Sequence, residues 1–135
     1  MILIRCLLFI SILMLTGCTY RYSPFASAEV YLVNNKPCLS IPDTRESRSG
    51  IWLLTSISVS KNVGGYMKEV WRLDDINRLF KPIKINNCIE YSYDFDENSE
   101  YFISIDTHKD YGDGIRKNWI ADFTPAQLKH KKTAP

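Results

Sequence analysis

Histidine is scarce in this sequence: there are two, His108 and His130. One falls in a polar stretch and the other in a basic tail, with no serine or cysteine motif beside either. Nucleophilic catalysis needs a nucleophile and a base within reach of each other, so the pattern does not point to an enzyme. Zinc-ligand spacing is missing too, because two cysteines and two distant histidines do not form the short pairs that such sites use. Carboxylates gather at Asp94, Asp96, Glu97 and Glu100, and again at Asp106, Asp110 and Asp113. Calcium-loop spacing fails there, since Gly112 stands at a ligand position and no glutamate closes the loop. A solvated charged face is the expected reading, with no metal and no cofactor. Beyond residue 17, no apolar run approaches the roughly 20 residues that a membrane helix needs. Internal repeats, low-complexity tracts and βαβ spacing are all missing.

The basic balance is a feature of the ends. The net charge is +2, and Arg5, Lys129, Lys131 and Lys132 supply more than that. The body between them is slightly acidic, so nucleic acid is not an expected partner. Hydrophobic residues make up 45% and charged residues 24%, a globular rather than a disordered composition.

What the chain does have comes first. After Arg5, an apolar run from Leu7 to Leu15 is broken only by Ser11 and ends in Leu15-Thr16-Gly17-Cys18. The order of positive, apolar and small residues followed by cysteine resembles the lipobox of bacterial lipoprotein signal peptides. The resemblance implies a diacylglyceryl thioether on Cys18, cleavage before it, and acylation of the new amino terminus. Only a thiol gives that thioether. With Thr19 rather than aspartate after the cysteine, the resemblance implies sorting to the outer membrane, facing the periplasm. An ordinary signal is the alternative, and Ala26-Ser27-Ala28 offers a weaker second cleavage site. The expected organisation is a signal peptide over 1–17, a lipid-anchored tether over 18–28, one domain over 29–128 and a basic tail over 129–135. A ten-residue extended tether would reach about 33–36 Å.

With Cys6 in the leader and Cys18 lipidated, Cys38 and Cys88 remain. In an exported chain they have one possible pairing, and closing a loop of 50 residues is worth about 4 kcal/mol on the chain-entropy account. Two buried free thiols are the rival arrangement.

The body reads as strand, turn, strand. Val30 to Val33 and Cys38 to Ile41 flank the turn residues Asn34, Asn35 and Pro37. A strand over 51–60 carries Ile51, Leu53, Ile57 and Val59 on one face, with Trp52, Leu54 and three serines on the other. Gly64-Gly65 turns it into a return strand over 66–73. Ile89, Tyr91, Tyr93 and Phe95 alternate with polar residues, as do Tyr101, Ile103 and Ile105, so these two runs predict a hairpin. A last strand covers 115–123. Helical signals are confined to a turn or two near 74–80 and to Thr124-Pro125-Ala126-Gln127, a capping-box start for a short helix near 124–130. The pattern predicts an all-β fold: an immunoglobulin-like antiparallel β-sandwich of about seven strands. Cys38 and Cys88 are out of phase with their apolar neighbours, so their disulfide should be peripheral.

Trp52, Leu54 and Phe102 fall off the main alternation, on a face that should be polar. That makes them candidates for a partner-binding patch, or for a second face covered by a loop. The acidic end over 94–100 could steer a partner toward it.

In order after the lipobox come V-N-N-K-P-C-L, L-L-T-S-I-S-V-S, the isolated Trp71, N-N-C-I-E-Y, Y-F-I-S-I and R-K-N-W-I-A-D-F. Over residues 29–123 this resembles the small bacterial lipoproteins assigned as type VI secretion immunity proteins of the periplasm. The resemblance implies a β-sandwich and the neutralisation of a protein toxin by occlusion. An accessory envelope lipoprotein that binds a secretion or assembly component is the other expectation.

Overall fold

A computed structural model describes residues 23–73, 79–110 and 114–129. The leader with Cys18, most of the helical signal near 74–80, and the tail beyond Lys129 lie outside these residues. Seven strands follow in order: β1 (Phe25–Ser27), β2 (Glu29–Val33), β3 (Lys36–Ser40), β4 (Trp52–Val63), β5 (Tyr66–Arg72), β6 (Tyr101–Lys109) and β7 (Arg116–Phe123). A single helical turn, α1 (Pro125–Leu128), ends the described chain. Five strands form one sheet in the order β1-β7-β6-β4-β5, and β2-β3 form a second. This is the two-sheet, all-β sandwich that the patterning predicts, with one pair, β1 and β7, running parallel.

Turn chemistry sets the two hairpins. Asn34 and Asn35 take φ of 51° and 64°, which asparagine tolerates better than most residues, and join β2 to β3. Gly64 and Gly65, at 63° and 95°, join β4 to β5. The core lies between the sheets. Ile57 and Val59 of β4 stand opposite Ile105 and Ile103 of β6, which stand opposite Trp119 and Ala121 of β7. Leu39 and Ile41 come down on them from the small sheet's side.

Two departures from the alternation have physical causes. The first is a β-bulge in β4. Leu54 pairs with Thr107 and Ser56 with Asp106, so Thr55 is an extra residue. A bulge shifts the two-residue phase by one. Trp52 and Leu54 therefore join Ile57 and Val59 on the core face, and Leu53 takes the other.

The second concerns residues 89–95, which form no strand. The chain is extended there. Ile89, Tyr91, Tyr93 and Phe95 pack against the core while Glu90, Ser92 and Asp94 stay exposed. Its ladder stops after Ile89 N–H donates to Leu39 O at 2.8 Å, and no hairpin with β6 forms. Alternation reports which way side chains point, and says nothing about who pairs with the backbone. Aromatic edges hold the segment instead. Phe95 lies 4.8 Å from Tyr101 and 5.2 Å from Phe123, ring centre to ring centre, in edge-to-face contacts.

The disulfide joins Cys38 to Cys88. Neither cysteine belongs to the core cluster, yet the link is peripheral at one end only: Cys38 is buried in β3 and Cys88 is exposed. Residues 25–28, expected as tether, belong to the domain: β1 pairs with β7, and Ala28 N–H donates to Ile120 O at 2.9 Å.

Candidate interaction surface

The three aromatic and apolar residues singled out from the sequence do not form a patch. Trp52 and Leu54 are buried at 3% and 6% exposure. The Trp52 indole meets Trp119 edge to face at 5.8 Å, and its Nε1–H donates to the Ser47 carbonyl at 3.1 Å. The polar loop over 43–50 thus closes over Trp52 as a lid of the core. The Lys109 ammonium sits 5.4 Å from the ring centre. Phe102 does lie on the outer sheet face, half-buried between its register partners Ser60 and Asp122. The bulge at Thr55 has put Trp52 and Leu54 on the opposite side of the sheet from it.

Around Phe102 the outer face is a polar platform. Ser56 Oγ donates to Asp106 at 2.7 Å and Ser104 Oγ to Asn118 at 2.6 Å. The acidic end over 94–100 is locally compensated. Lys61 approaches Asp96 at 3.6 Å and Lys129 approaches Glu97 at 2.7 Å. A hydrogen bond from Ser99, then the Asn98 N–H and Lys61, hold the Asp96 carboxyl below its usual range.

A groove of about 670 Å³ separates β3 from residues 89–95. The Tyr91 hydroxyl bridges it by donating to Pro37 O. Burial pushes the Tyr93 phenol on this wall up to about 12, helped by its hydrogen bond with Tyr101.

The apolar surface lies elsewhere. Of the eight large hydrophobic residues exposed among the described residues, four belong to one hairpin: Val63 (44%), Tyr66 (72%), Met67 (42%) and Val70 (38%). β5 is the edge strand beside β4, and every residue of it except Trp71 is exposed. Clusters of this kind on an otherwise polar protein mark interaction sites.

Register fixes which backbone groups this arm offers. Val63 pairs with Tyr66 across the two-residue turn, and Lys61 pairs with Lys68. Asn62 N–H points the other way and donates to Glu100 O at 2.9 Å. In an antiparallel ladder, alternate residues point alternately toward and away from a neighbour. Tyr66 and Lys68 therefore face β4, while Met67 and Glu69 turn their N–H and C=O groups to the free edge. A second bulge, between Val59 and Ser60, makes Val70 the unmatched residue of β5. Arg72 grips Glu69 with two hydrogen bonds, at 2.9 and 2.8 Å, which lower the Glu69 pKa and keep it ionised. The sequence offered a faint signal of this arm: apolar residues beside a double glycine that fit no alternation.

The family model described as Domain of unknown function (DUF7480) matches residues 25–128. Its start coincides with β1 and its end with α1. Comparison with curated proteins and with solved structures gives no match.

Proposed function

We propose that this chain, which belongs to the DUF7480 family, is a lipid-anchored binding protein of the bacterial envelope that captures a protein partner on the β4–β5 arm. The partner class favoured by the resemblance to periplasmic immunity lipoproteins is a toxin, occluded rather than chemically altered. One observation carries the reading: among the described residues, half of the large exposed hydrophobic side chains lie on the β4–β5 hairpin, at the sheet edge farthest from β1. β1 holds one edge and β5 the other, four strand spacings or about 19 Å apart.

The anchor in this proposal is the thioether at Cys18. The described residues begin at Ser23, five positions after Cys18, a separation that a fully extended chain covers in about 17 Å. That is half the reach of the tether expected from sequence. The β1 edge would sit near the headgroups and the arm would project into the periplasm, from the outer membrane on the Thr19 argument. A rigid surface presented this way loses little freedom on binding.

The test is protection. A protein toxin encoded beside this chain is directed to the periplasm of a susceptible cell, and survival is counted with and without the full-length chain. The expected result is rescue by the wild type, loss of rescue with Tyr66→Asp plus Met67→Asp, and near-normal melting of that variant. Rescue by the arm variant at wild-type level would overturn the arm as the binding surface. Failure of the wild type to rescue would overturn the toxin reading and favour an accessory role in envelope assembly. Labelled palmitate on the wild type and its loss in Cys18→Ser test the anchor separately.

A further inference from the structure

We propose that β5 takes up one extended strand of a different protein as a sixth strand of the sheet, so that the arm reads its partner through main-chain hydrogen bonds. The inference rests on the binding reading above and specifies its mode and the kind of partner. Met67 and Glu69 present outward N–H and C=O groups that make no hydrogen bond among the described residues. An open edge of this kind, here the stretch before the bulge at Val70, is a template for another strand, and natural proteins usually blunt it. Here the strand is seven residues long and carries apolar side chains on both faces.

A second copy of the chain is a poor occupant. Two β5 strands about a two-fold axis must bring outward residues opposite outward residues. The register that overlaps all of Tyr66–Arg72 sets Glu69 opposite Glu69. Of the two adjacent registers, one sets Lys68 opposite Lys68 and the other sets Val70 opposite Val70, where the bulge breaks the outward alternation. Like charges directly opposite each other destabilise a strand pair: no described carboxylate pairs with Lys68, while Arg72 offsets part of the Glu69 charge. The same residues welcome a complementary strand. Its chemistry is legible from the edge: apolar side chains opposite Tyr66, Met67 and Val70, an acidic residue opposite Lys68 and a basic one opposite Glu69. Such a strand would extend the sheet away from the anchored edge, with Lys68 and Glu69 selecting direction and register.

The probe is a seven-residue synthetic peptide with valines opposite Tyr66, Met67 and Val70, aspartate opposite Lys68 and lysine opposite Glu69. Amide hydrogen exchange of the full-length chain in detergent micelles is followed residue by residue. Saturating peptide should slow exchange at Met67 and Glu69 at least about 10-fold, while Tyr66 and Lys68, already bonded to β4, change little. Glu69→Pro, which removes an outward donor and no bond to β4, should abolish this protection. Glu69→Lys should lose the peptide and regain it when the peptide lysine is exchanged for glutamate. Peptide contact without protection of Met67 and Glu69 would overturn strand addition and leave a side-chain surface. No contact at millimolar peptide would overturn it as well. Slow exchange at both amides in the chain alone, together with a dimer by light scattering, would mean that a second copy is the occupant.

Discussion

The two edges of the five-stranded sheet are managed in opposite ways. At the β1 edge a three-residue strand is tied down from several directions. Asn118 N–H donates to Pro24 O at 2.7 Å, and Ala28 N–H to Ile120 O at 2.9 Å. The Lys117 ammonium, with only 4% of its side chain exposed, reaches Ser23 O at 3.0 Å and Glu46 at 3.2 Å. One buried cation thus pins the incoming chain and the loop over Trp52 to β7. At the β5 edge nothing comparable closes the ladder among the described residues, and apolar side chains stand in solvent. Short edge strands and covering loops are the ordinary ways of silencing an edge. Among the described residues the chain uses these two on the β1 side, whereas β5 carries only a bulge at Val70 and the charge of Lys68.

The largest expected effect separates core from arm. Trp52→Ala should cost about 3–5 kcal/mol, as aromatic truncations in packed cores do. Tyr66→Ala should stay within about 0.5 kcal/mol, as exposed changes do. Urea unfolding of the pair measures both; equal losses would erase the contrast. Breaking the disulfide with Cys38→Ser plus Cys88→Ser should cost about 4 kcal/mol on the chain-entropy account, read as a lower urea midpoint. Next comes the pinned edge. Lys117→Ala strands Glu46, which is half-exposed, so the loss should be about 1–3 kcal/mol. It should also speed amide exchange at Asn118 and Ala28 and leave Met67 unaltered. An acceleration at Met67 would mean that the edges are coupled. Smallest is the effect of alkali. Tyr93 ionises near 12 in the folded chain and near 10 when unfolded. The folded state holds its proton longer, so stability is full below pH 10 and declines between pH 10 and 12. Melting temperatures across that window, with Tyr93→Phe as the flatter control, check the sign.

Much of this was legible because strands that bury one face announce it. Tyr101, Ile103 and Ile105 alternate in the sequence and are wholly buried in the fold. The two hairpin turns were legible from asparagine and glycine pairs, the disulfide from cysteine number and the expected export signal, and α1 from Pro125, although Thr124 makes no side-chain cap. Three things were not. The run over 89–95 alternates as cleanly as any strand, yet its pairing depends on what lies beside it. Thr55 looks like any strand residue, so the bulge that sends Trp52 inward left no trace in composition. The return strand over 66–73 was legible from the double glycine, but its exposed apolar surface was not, because both of its faces are wet and a strand without a buried face has no period to read. Part of the candidate surface was hidden from sequence for that reason.

Thr55 also makes the protein unequally tolerant of two kinds of mutational accident. Substituting this half-exposed residue disturbs one side chain. Deleting it straightens β4 and turns Trp52 and Leu54 toward water in a single step, unseating the contacts with Trp119 and Ser47 together. Among related chains, the distance from Trp52 to Ile57 should therefore hold constant in length even where its letters change. Length, more than identity, is what this segment encodes.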